Sequence, residues 1–140
     1  MRKYKVLVFS TLFLGVALLV YSKENIKKVA PKDTNAASGL EMYRAYCAVC
    51  HGVDGKGGGP AATAMKQPPT DLTKLAAKAG GEFRRFRVSN VIRGDNVLPS
   101  HGSQDMPMWG DVFRNLKRDE SIVTLRVHNL TEYIASLQEK

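Results

Sequence analysis

The sequence predicts an all-α domain. Near the C-terminus, Val123, Val127, Leu130, Ile134 and Leu137 recur at spacings of four, three, four and three, which marks one face of a helix. No stretch alternates convincingly at period two, as a half-buried strand would. Twelve glycines and six prolines in 140 residues break the rest of the chain into short segments joined by turns.

The elements follow in order. Ser38 and Glu41 have capping-box spacing, so a first helix is predicted from Ser38 through Met42, Tyr43 and Tyr46 to a pair of cysteines. Behind it, Gly55, Gly57, Gly58 and Gly59 rule out a helix before Pro60. The stretch Pro68 to Leu72 opens a second short helix, with Thr70 or Asp71 as its N-cap and Gly80–Gly81 as its stop. EFRRFRVSNVIRG predicts a third, with Phe83, Phe86, Val91 and Ile92 as its apolar residues and Gly94 ending it. Residues 94–110, with Pro99 and Pro107, read as a loop. Asp119 is the expected N-cap of the last helix.

The formal net charge is +8, but residues 1–32 hold seven Lys/Arg against one Glu, while residues 33–140 hold fourteen against twelve. The excess is N-terminal, and no basic helix interleaved with aromatics follows it, which argues against a nucleic-acid partner. MRKYK is a positive n-region, and Val6 to Tyr21 is an uncharged apolar run of sixteen residues. Residues 1–22 therefore read as a cleaved secretory signal or an N-terminal membrane anchor. The run is short against the roughly 20 residues of a full span, and the pattern around Val20 and Ser22 is poor for cleavage. Either outcome places the remainder outside the cytoplasm. Residues 23–37 are polar and aperiodic and read as a linker, leaving residues 38–140 as the folded domain.

The densest chemistry lies in YCAVCHGVDGKGGGP. Cys47, Cys50 and His51 form C-x-x-C-H, the pattern of c-type haem attachment. Cysteines three apart on a helical turn share a face and can reach the two vinyl groups of one porphyrin, and the next histidine can ligate the iron. A redox C-x-x-C belongs near a βαβ pattern, which is missing. A zinc site needs four ligands, and there is no second cysteine pair. A disulfide across two residues closes too small a loop to stabilise much. The iron needs a second axial partner or stays open to small molecules. HGSQDMPMWG offers His101, Met106 and Met108, and a neutral thioether favours ferrous iron. Met42 and Met65 read as core and loop residues, and His128 as a surface or partly buried histidine beside the apolar stripe of the last helix.

On these residues the chain resembles the class I mono-haem cytochrome c family over about residues 38–140. Gly39, Tyr43, Leu130 and Tyr133 match the family's crossing of N- and C-terminal helices, where glycine allows close approach and an aromatic pair locks the contact. The resemblance implies a cytochrome c-like fold of three to five short helices around one covalent haem c and its iron. It implies thioethers at Cys47 and Cys50, His51 as proximal ligand, and the Pro60 carbonyl accepting a hydrogen bond from the His51 Nδ1–H. It also implies a Met-Pro pair as distal ligand, which Met106 fits, with Met108 as the alternative. Trp109 reads either as a core aromatic or as a residue along the haem edge. Arg93 reads as a solvated helix-end arginine or a propionate partner. Arg84, Arg85 and Arg87 form a local basic patch that could dock an acidic protein.

The expected function is that of an electron carrier rather than an enzyme. It would pass single electrons between a redox donor and acceptor outside the cytoplasmic membrane, in the periplasm, among membrane respiratory complexes. It would be soluble or anchored to the inner membrane through residues 6–21. The alternatives are a haem-carrying subunit of a larger membrane oxidoreductase and an open-site haem enzyme or gas sensor.

Overall fold

The computed structural model describes residues 29–95 and 106–139. Among the described residues there is no strand. The chain forms α1 (Gly39–Met42), a π-helical segment (Tyr43–Cys47), α2 (Ala48–His51), α3 (Leu75–Lys78), α4 (Arg85–Arg93), α5 (Trp109–Leu116) and α6 (Glu120–Ser136). Short 3-10 turns cover Ala62–Ala64 and Leu72–Lys74.

The first helix starts as its capping sequence predicts, with Ser38 Oγ accepting the Glu41 N–H at 3.2 Å. The box is only half closed, because Glu41 Oε1 accepts from the Asn35 N–H rather than from Ser38. The helix is not uniform. It widens into a π-turn over Tyr43–Cys47, where the Ala48 N–H reaches back to the Tyr43 carbonyl. Turns of this kind insert a residue and re-aim the side chains after them, here immediately ahead of the second cysteine and the histidine.

The long helix α6 organises everything else: α1, α4 and α5 all pack on it. Asp119 caps it, its carboxylate accepting from the Ser121 and Ile122 N–H groups. Val123, Val127, Leu130 and Ile134 are buried, and Leu137 packs at the end of the same stripe. At the crossing with α1, a Cβ on Gly39 would run into the Asn129 carbonyl oxygen and the Tyr133 Cβ. Only glycine permits this approach, and the Tyr43 and Tyr133 rings then meet at 5.0 Å between centroids.

Three features depart from the sequence reading. Residues 109–116, assigned no element, form α5. Trp109, Val112, Phe113 and Leu116 do recur at helical spacing, but the run is short and follows two prolines. Phe86, expected on the apolar face of α4, is 80% exposed, while Ile92 and Val88 make the contact with the core. The polar stretch before Ser38 also does not hang free. The guanidinium of Arg126, 1% exposed, binds the Asp33 carboxylate, Thr34 Oγ1 and the Thr34 carbonyl. Asn129 Nδ2 donates to the Ala36 carbonyl, and Tyr46 Oη bonds Lys32 and Thr34. Packing of the domain therefore begins several residues upstream of the first helix. The predicted apolar segment, Val6 to Tyr21, lies outside the described residues. Among the described residues no helix is long and apolar enough to cross a membrane.

Candidate haem site

Cys47 ends the π-turn, and Cys50 and His51 close α2. Neither thiol is bridged. Cys47 is buried, and burial, with repulsion from Cys50, pushes its thiol up to about 12. Burial also raises the Cys50 thiol. Burial therefore favours the thiol form of both sulfurs. Among the described residues no group of three or more His, Cys, Asp and Glu side chains is arranged to hold a metal ion. The two thiols and the imidazole come from five consecutive residues at one helical end. That arrangement fits a broad planar group bonded at two edges and ligated at its centre, so the residues present match covalent haem.

The loop behind the motif is bonded tightly to the helix end. Gly59 N–H donates to the Cys50 carbonyl at 3.0 Å and Ala61 N–H to the Val49 carbonyl at 2.8 Å, which satisfies carbonyls that the helix leaves open. Gly57 N–H donates to the His51 carbonyl at 2.7 Å. Gly57 sits at φ +90, and a Cβ there would overlap the Pro69 carbonyl, so the loop backbone lies directly against residues 69–70.

This path corrects the expectation for Pro60. His51 Nδ1 lies 3.0 Å from the carbonyl of Thr70. A carbonyl can only accept, so Nδ1 carries the proton and Nε2 keeps its lone pair. Pro60 is exposed, held between two residues whose N–H groups cap α2. Thr70 arrives instead, because the loop folds Gly57 against Pro69 and Gly55 accepts the Leu72 N–H at 2.7 Å. Burial lowers the pKa of His51, and the Thr70 hydrogen bond partly opposes that shift. The neutral imidazole is the favoured form.

Arg93 is engaged within the protein. Its Nη1 bonds Glu120 at 2.7 Å, Nη2 bonds Thr124 Oγ1 at 3.2 Å, and Nε lies 3.6 Å from Asp95. The two terminal nitrogens tie α4 to the start of α6. Trp109 is partly buried and packs with ring centroids 5.3 Å from Tyr46 and 5.9 Å from Phe113. In the arginine patch, Arg85 is ion-paired with Glu132 at 2.9 Å.

Of the two candidate distal ligands, Met106 is half-buried and Met108 is 48% exposed. A Cβ on Gly94 would meet the Met108 Cβ at 2.8 Å and Cγ at 2.9 Å, so that side chain leans on the C-cap of α4. His101 lies outside the described residues. Met42 is fully buried in the core and His128 is exposed, as read from their positions. Arg126 was missed. Position 126 lies three from Val123 and four from Leu130, on the edge of the apolar stripe, but its charge hid it.

The helical fold and the attachment motif define a c-type cytochrome domain with covalent haem c. A family model described as cytochrome c oxidase, cbb3-type, subunit III matches residues 34–120, more than half of the chain, and the chain belongs to that family. No curated protein and no solved structure matches it.

Proposed function

We propose that the protein is a mono-haem electron carrier working outside the cytoplasmic membrane, with thioethers at Cys47 and Cys50, His51 as one axial ligand and Met106 as the other. The carrying observation is the His51–Thr70 hydrogen bond. It fixes the ring tautomer with the proton on Nδ1, so that Nε2 would be left to ligate. It also raises the basicity of the imidazole. When bound, the haem supplies a one-electron iron couple. Cys47 and Cys50 would hold the porphyrin, His51 Nε2 and the Met106 thioether would ligate the iron, and with both taken other molecules would be kept off it. Met108 is less suited, since its stem is packed against Gly94.

The test is the optical spectrum of haem-loaded protein. Carbon monoxide added to the reduced form should leave it largely unchanged. Met106→Ala should abolish the methionine–iron charge-transfer band of the oxidised form and admit carbon monoxide, whereas Met108→Ala should do neither. Loss of the band in Met108→Ala would reverse the ligand assignment.

The family match favours a second reading, in which the domain is the haem-bearing subunit of a membrane oxidase. Residues 6–21 would then hold it beside the catalytic partner. Co-purification with a membrane complex after mild detergent extraction supports that reading. Recovery as a free monomer supports the carrier.

A further inference from the structure

We infer that Gln138, at the far end of the chain, is a positioning residue for the axial histidine, because its side-chain amide holds the segment that presents the Thr70 carbonyl to His51. This rests on His51 being the iron ligand, as proposed above. The amide is fully engaged. Nε2 donates to the Ile134 carbonyl at 2.8 Å and to the Leu72 carbonyl at 2.7 Å, while Oε1 accepts the Ala76 N–H at 2.8 Å. A residue that merely closed α6 would need only the first of these. The other two reach more than sixty residues back along the chain and grip both sides of the 3-10 turn Leu72–Lys74. Beside them, the Glu139 N–H donates to the Thr73 carbonyl at 2.9 Å.

Leu72 is thus held at both ends of its backbone, its N–H by Gly55 in the loop behind the attachment motif and its carbonyl by Gln138. Asp71 is fixed in turn by its own cap on Thr73, with Oδ1 taking both the N–H at 2.9 Å and the hydroxyl at 2.6 Å. Thr70 is the next residue. Its bond to His51 is exposed and competes with water. It persists only while the carbonyl is held in place. Releasing the turn weakens that bond, makes the imidazole less basic and removes stabilisation of the more positive ferric iron.

The experiment compares haem-loaded Gln138→Leu, Gln138→Glu and Ile134→Val with the parent. Ile134 is buried in the same helix end, and trimming its side chain lowers stability while leaving the Gln138 amide bonds to the turn in place. The readouts are the midpoint potential, hydrogen exchange of the His51 Nδ1 proton in the reduced protein by NMR, and thermal melting. Gln138→Leu should be more than half reduced at the parent's midpoint and should exchange that proton faster. Gln138→Glu, which keeps the acceptor for Ala76 and loses both donors, should shift the same way by less. Ile134→Val should melt earlier with midpoint and exchange unchanged. If Gln138→Leu does not fold, the Glu variant carries the test. An unchanged midpoint and exchange rate in the Gln138 variants, or an equal shift in Ile134→Val, overturns the inference. Rapid carbon monoxide binding by the parent would sink the closed-carrier reading yet leave these readouts intact. Absence of a haem-shifted His51 ring signal in the parent would sink the ligand assignment itself.

Discussion

Two ties hold distant backbone against α6, and they differ in kind. Toward its middle, Arg126 clamps residues 33–34 with a buried positive charge, its guanidinium also 5.7 Å from the Phe113 ring. Just past its end, Gln138 clamps Leu72–Ala76 with a neutral amide. The charged tie is all-or-none, because a buried guanidinium without partners is costly while a hydrophobic replacement is not. Its Nε already lacks a hydrogen-bond partner, which adds to that cost. The neutral tie costs little to break, but it lies two residues from the carbonyl that orients the proposed iron ligand. Strength and functional leverage are therefore separated along one helix.

The charged tie should give the largest effect. Asp33→Ala with Thr34→Ala leaves the Arg126 side chain buried with only the Thr34 carbonyl, and should cost about 3 kcal/mol in denaturant unfolding. Adding Arg126→Met should recover most of that loss, and the midpoint potential should not move in either variant. No recovery would mean that the strap stabilises by contacts other than the charge. Next comes the helix crossing. Gly39→Ala should cost about 2 kcal/mol, because the new Cβ meets backbone at Asn129 and the helices must separate. Gln138→Leu should cost only about 1 kcal/mol and yet shift the potential, the reverse of the Arg126 pattern.

The smallest effect belongs to Asp71. The Thr73 hydroxyl and N–H hold its carboxyl below the ordinary value of 3.8. An acid with a depressed folded pKa stabilises above its unfolded pKa and loses that contribution as pH falls through the folded one. Acid unfolding below about pH 4 should therefore contain a component that Asp71→Asn lacks, with the two proteins converging as the pH drops further. Parallel acid-unfolding curves would remove Asp71 from the account.

What the sequence made legible was local. Ser38, Asp119 and Gly94 signal helix ends through their own side chains or backbone freedom, and each ends a helix as read. The stripe from Val123 to Ile134 and the spacing of Cys47, Cys50 and His51 need only one helix to be interpreted. Thr70 could not be found in the same way. Whether position 60 or 70 meets the imidazole depends on where a glycine-rich loop is pinned, and the pins are Leu72 on Gly55 and Gln138 on Leu72. Arg126 was hidden because its partners lie some ninety residues upstream. Phe86 read as core because hydrophobicity is recorded in sequence and orientation is not.

The most direct measurement is the intact mass of the exported protein after full denaturation, together with alkylation of its thiols. The account predicts one haem retained covalently and no sulfur left to alkylate. A colourless polypeptide of unmodified mass, with both Cys47 and Cys50 alkylated, would contradict it.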